Sequence, residues 1–212
     1  MKNTNRLMMV IIIATSLLLL TGCPATEKEE TSAKPVIYLY PTEATNVAVQ
    51  LSFDGLLTAT YPIYNDGWEV TAYPDGTLIN NADGQEYSYL FWEGLGNQEF
   101  NFDEGFVVRG SDTVTFLQET LAAIGLLPKE YNEFIVYWLP QMQENPYNLI
   151  SFQGDVYTNS AKLDITPIPD SILRVYMAYK PLDEPIYMLE QVFQPFERNG
   201  FTVVEWGGCA IE

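Results

Sequence analysis

Histidine is absent from all 212 residues. Without an imidazole, Ser-His-Asp and Cys-His catalysis, His-ligated zinc and phosphohistidine chemistry lack their parts. Cysteine occurs twice, at Cys23 and Cys209; if the first is modified, the second has no partner for a disulfide within the chain. Basic residues are also scarce, with ten Lys and Arg against 28 Asp and Glu and a formal net charge of −18. A surface this acidic repels nucleic acid and anionic headgroups, so no nucleic-acid partner is expected. No Ser-x-x-Lys, Gly-x-Ser-x-Gly, Cys-x-x-Cys, Asp-Thr-Gly or Asp-Ser-Gly occurs. Gly94-Leu-Gly96-Asn-Gln-Glu99 begins like a dinucleotide loop, but it puts a carboxylate where the third glycine would meet phosphate. No cofactor, metal or catalytic residue is assigned from the sequence.

What is present begins at the N-terminus. Lys2 and Arg6 form a positive region, an apolar run follows from Leu7 to Leu20, and Leu20-Thr-Gly-Cys23 closes it. The pattern is that of a bacterial lipoprotein signal, in which small residues before the cysteine admit a peptidase once the thiol carries diacylglycerol. About 14 apolar residues are too few for the ~20 of a membrane-spanning helix. Residues 1–22 are therefore expected to be removed, with Cys23 lipidated and the protein held on the extracytoplasmic face of a cell membrane. The remainder would carry eight basic and 28 acidic residues, a charge of −20, so its attachment has to come from acyl chains. Residues 23–34 lack large apolar side chains and read as a flexible tether ahead of a globular region spanning 35–208.

Alternation predicts strands over 36–40 and 47–53, and Asp54-Gly55 predicts a hairpin pairing 47–53 with 56–61, with Gly55 at positive φ. Closely spaced Asp-Gly turns continue an antiparallel meander through 68–73, 77–79 and 87–92. Beyond a loop at 94–105, a short strand 106–108 leads into a helix from about Asp112. Val114, Leu117, Leu121 and Ile124 share one face of it, Ser111 or Asp112 is placed to cap it, and Gly125 ends it. The continuous apolar run 134–139 reads as a buried strand, followed by strands at 149–152, 173–179 and 201–206. The expected class is α+β, mainly β: a β-rich half over 35–92, then a mixed half over 106–208 with one main helix. Whether these halves form one domain or two stays open.

Lys34-Pro-Val-Ile-Tyr-Leu-Tyr-Pro41, Tyr64-Asn-Asp-Gly-Trp68, Tyr89-Leu-Phe-Trp-Glu-Gly94, Glu133-Phe-Ile-Val-Tyr-Trp-Leu-Pro140 and Val203-Val-Glu-Trp-Gly-Gly208 resemble a family of uncharacterised secreted and lipoprotein-type bacterial proteins. The resemblance implies a shared extracytoplasmic fold and carries over no catalytic residue.

Carboxylate chemistry is the route to catalysis that needs no histidine, and Glu93 beside Trp92, Glu133 near Trp138 and Glu205 beside Trp206 supply the residue types of a glycan hydrolase. With 28 acids such neighbours arise by chance, so a non-catalytic binding or structural module is the leading expectation and the hydrolase the alternative. Asp83, Glu86, Asp103 and Glu104 read as solvated turns rather than calcium ligands, and Cys209 as a packing residue. For a ligand site the expectation is Trp92, Glu93 and Arg109 around one cleft rimmed by the 94–105 loop, because Arg109 is a rare cation at the junction of a strand and a helix. The alternative for Arg109 is an ion pair with Glu93, Asp103 or Glu104. The ligand itself, in the envelope or outside the cell, is not specified by the sequence.

Overall fold

The computed structural model describes residues 30–211, with side chains from Lys34 onward. The signal segment, Cys23 and the first part of the expected tether lie outside the described residues.

The chain is α+β and mainly β. Among the described residues twelve strands form two sheets: β1 (Glu30–Tyr40), β2 (Thr45–Phe53), β3 (Gly55–Tyr61), β4 (Trp68–Ala72), β5 (Leu78–Asn80), β6 (Glu86–Tyr87), β7 (Leu90–Gly96), β8 (Phe106–Arg109), β9 (Tyr147–Phe152), β10 (Ala161–Thr166), β11 (Ser171–Leu182) and β12 (Thr202–Ala210). The larger sheet has the order β3-β7-β1-β12-β11-β9-β8 and the smaller β10-β2-β4-β5-β6. Neighbours are antiparallel except for β11 and β12, which run parallel. Helices α1 (Thr113–Ile124) and α2 (Pro128–Met142) cover one face of the larger sheet, the smaller sheet covers the other, and a short α3 (Asp155–Ser160) leads into β10. Being covered on both faces explains why β12 is buried from Thr202 to Cys209, the charged Glu205 included. Trp68 and Trp92 fill the space between the sheets, and Trp138 and Trp206 fill the space beneath the helices. Strands from both halves of the sequence enter both sheets.

Several expectations are corrected. β2 and β3 are not a hairpin: the chain changes sheets at Asp54, whose N–H donates to the Ser160 carbonyl at 2.7 Å. Gly55 is not among the residues of positive φ. Glycine is required there for room, since a Cβ would run into the Leu95 carbonyl and the Phe53 ring. Gly55→Val and Gly55→Asn should therefore both destabilise, by about 1–3 kcal/mol through overpacking. Thermal unfolding checks this; an Asn variant as stable as wild type would restore the turn explanation.

The run at 134–139 is helical, inside α2. Pro128 stands in its first turn, and Glu130 Oε2 accepts from the Leu127 N–H at 2.8 Å, closing the helix start. Glu130, Phe134, Trp138 and Met142, four residues apart, are buried while Val136 is 73% exposed, so the period is that of a helix and not of a buried strand. Neither Ser111 nor Asp112 caps α1 with its side chain, and Thr113 replaces Val114 on its buried face. Gly125, at φ 122°, does end α1, its N–H donating to the Leu121 carbonyl at 3.1 Å.

Finally, residues 30–34 of the expected tether belong to β1, where Thr31 and Ser32 pair with Leu95 and Gly94. Backbone hydrogen bonds hold them, and these need no apolar side chain.

Candidate functional site

The three residues expected to share a cleft do not. Trp92 is fully buried between the sheets, its ring 4.9 Å from Phe53 and its indole N–H donating to Glu205 Oε1 at 3.2 Å. Glu93 follows it directly on β7, so it emerges on the opposite face, toward the helices. Arg109 ends β8 at the other edge of the larger sheet, with β1, β12, β11 and β9 intervening. Five interstrand spacings of ~4.8 Å put it roughly 24 Å from β7. Its guanidinium lies 5.7 Å from the centre of the Tyr147 ring. The expected rim is also different, because residues 94–96 complete β7. The acidic turns use their own carboxylates: Asp83 accepts from the Gln85 N–H at 2.9 Å and the Tyr87 hydroxyl at 2.8 Å, and Asp103 from the Asn101 amide at 2.8 Å. Cys209 is buried in the core between the sheets.

Two carboxylates with no exposed surface are each held by an arginine. Glu205 Oε2 takes the Arg174 Nε–H at 2.6 Å between the sheets. Arg174 also lies 4.9 Å over the ring of Tyr157, which stacks on Tyr176 at 4.1 Å. Burial and the nearby Glu205 charge raise the Tyr157 hydroxyl well above its ordinary pKa. Glu130, at the start of α2, receives both Nη atoms of Arg198 at 3.1 and 2.6 Å. Arg198 also donates to the Gly125 carbonyl at 3.0 Å, tying the segment before β12 to the α1–α2 turn. Desolvated charges in such pairs hold one geometry, and losing either partner leaves the other stranded.

A different group converges on the helix-covered face. Tyr38 donates its hydroxyl to Glu133 Oε2 at 3.3 Å and lies edge-on to Tyr89 at 5.4 Å. Tyr137 stands one turn after Glu133 on α2, within range of the Glu93 charge. Lys34 sits at a β-bulge with φ 51°, a left-handed conformation costly for a side chain other than glycine. The bulge carries its ammonium to 5.1 Å from the Tyr137 ring centre and 5.3 Å from that of Trp206. Desolvation lowers the Lys34 pKa against the pull of Glu133. Tyr38 and Tyr89 are raised by burial and then by Glu133, and Tyr137 by burial and then by Glu93, so all three phenols are held neutral. Beside Tyr38 and Glu133 opens a cavity of about 200 Å³, bounded by Lys129, by Glu86 and Tyr87 of β6, and by Thr77 and Ser88 next to the smaller sheet. It lies where the chain passes from β6 in one sheet to β7 in the other.

This ledge combines rigid phenols, two carboxylates and a lysine, which suits recognition of a polar ligand with flat faces. Of the residues expected at a site, Glu93 lies within range of Tyr137 but does not line the cavity; of the acids weighed for catalysis, Glu133 does line it. Glu205 faces away from Trp206 and into the inter-sheet core. Lys34, Tyr38, Tyr89 and Tyr137 are not among the residues the sequence marks for a site, although alternation along β1 puts Tyr38 and Tyr40 on one face and a helical period puts Glu133 and Tyr137 on another.

No model of a known protein family matches the chain, and no solved structure matches it. An uncharacterised protein in the bglA 3' region of Butyrivibrio fibrisolvens is 42% identical over 80 residues, which cover 35% of this chain and 81% of that protein. At that identity and coverage the chain belongs to the same family as this uncharacterised protein.

Proposed function

We propose that the protein is an extracytoplasmic lipoprotein, anchored through acyl chains on Cys23, whose globular region is a non-catalytic binding module presenting the Lys34–Tyr38–Glu133 ledge. The supporting observation is the convergence itself. Segments around residues 34–40, 89–93 and 133–137, far apart in sequence, deliver Lys34, Tyr38, Tyr89, Glu93, Glu133 and Tyr137 to one half-open face, with Lys34 held there by a strained bulge. Carboxylate catalysis needs a desolvated acid free to exchange its proton, whereas Glu130 and Glu205, which have no exposed surface, are clamped by Arg198 and Arg174. That favours binding over hydrolysis.

The anchor is tested by metabolic labelling with a fatty acid. Cys23→Ser is expected to lose the label completely and to remain unprocessed, because no other thiol stands in the signal; full labelling of the variant ends the lipoprotein reading. A panel of glycosidase substrates tests the rest: the protein should leave all of them intact, and turnover removed by Glu133→Gln would replace the binding module with a hydrolase.

A further inference from the structure

We propose that the cavity between Tyr38 and Tyr87 holds one sugar ring of a neutral glycan. The proposal rests on the binding-module reading and names its ligand class. Both phenols lining the cavity have spent their only proton, Tyr38 on Glu133 at 3.3 Å and Tyr87 on Asp83 at 2.8 Å. Neither hydroxyl therefore has a proton left for a ligand, and the carboxylates of Glu133 and Glu86 add acceptors to the wall. The Asp75 carboxylate is already taken by the Thr77 N–H at 2.9 Å. The cavity's one cation, Lys129, is committed to the Asp75 carbonyl at 2.8 Å and to the Tyr40 ring at 4.4 Å. A ligand that satisfies this wall must bring several hydroxyl protons.

Charge narrows the class further. Glu86, Glu133 and Asp83 repel an anion, and so does the whole chain at −18. A cation would share the wall with the Lys129 ammonium, and a flexible polyamine makes no use of the Tyr87 and Tyr61 rings beside the cavity. An uncharged ligand rich in hydroxyl donors and flat enough to lie against those rings uses both features, which describes a pyranose with its C–H faces and hydroxyl edge. The Tyr87 ring is preorganised for this, fixed by Asp83 at its hydroxyl and by the edge of Tyr61 at 4.9 Å. Tyr61 is 61% exposed and extends the aromatic surface outward for a second ring.

The test is a neutral-oligosaccharide array followed by titration calorimetry on the lipid-free globular protein. Glu86→Ala changes an exposed side chain and should leave the fold intact, while Tyr87→Ala removes the platform. Saturable binding of a neutral glycan, weakened at least ten-fold by each substitution with the unfolding midpoint of Glu86→Ala unchanged, supports the proposal. Glycan binding that Glu86→Ala leaves untouched places the ligand elsewhere and overturns it. If no glycan binds but spermidine does, and Glu133→Gln abolishes that, the sugar assignment falls while the binding module stands. If neither probe binds, both readings fall.

Discussion

Arg174→Met is expected to lower stability by about 3–5 kcal/mol, because it leaves Glu205 buried without its countercharge. The side chain of Glu205 has no exposed surface, that of Arg174 is 10% exposed, and the two meet at 2.6 Å. The Trp92 indole at 3.2 Å is a neutral donor and cannot replace a guanidinium. Arg174 also covers the Tyr157 ring, and the thioether chain of methionine keeps part of that contact. The double variant Arg174→Met, Glu205→Leu removes both charges and should recover most of the loss, since an apolar pair of similar volume avoids the desolvation cost. Urea unfolding of the three proteins decides it. A single variant within about 0.5 kcal/mol of wild type would mean that water or another group reaches Glu205; a double variant no better than the single would mean that packing, not charge, is what Arg174 supplies.

Trp92→Ala is expected to cost about 3–5 kcal/mol as well, through the cavity left by a fully buried indole. A Trp92 lining an open cleft, as the sequence led one to expect, would instead be truncated with little loss of stability. Two consequences separate the terms. Trp92→Phe refills much of the volume but still removes the donor to Glu205 Oε1, so it should lose about 1.5–3 kcal/mol, the range for a hydrogen bond to a charged group. Combined with Glu205→Leu, Trp92→Phe should lose less than the sum of the two single changes, because both act on one bond. Denaturant midpoints at unchanged slope provide the measurement, and a stable Trp92→Ala protein would return the residue to the list of surface candidates.

Trp92 and Glu93 also mark how far the sequence could be read. Their adjacency suggested a shared cleft, but neighbours on a strand point to opposite faces, so one enters the inter-sheet core and the other the helix-covered ledge. That separation was available from alternation alone. Arg109 is a different case. Its place at a strand end before a helix follows from local pattern, yet its distance from β7 depends on strand order, which brings β1, β12, β11 and β9 in between. No local pattern encodes that order.

By itself the sequence determined the class, α+β and mainly β, most of the strand positions, the helix at Thr113–Ile124 with its glycine stop, and the poverty of histidine and basic residues that narrows the chemistry. These depend on composition and on periods of two or 3.6 residues, both local properties. The tertiary structure decided which sheet each strand joins. At Asp54-Gly55 a turn signal and a crossing between sheets look alike until β3 is seen paired with β7. At 134–139 a continuous apolar run fits either a buried strand or a helix, and the choice was made by the capped start at Pro128 and by which side chains found a core. The ledge was decided in the same way, because Lys34, Tyr89 and Glu133 meet only through pairings and packing between segments nearly a hundred residues apart, where backbone hydrogen bonds and buried area act and sequence neighbours do not.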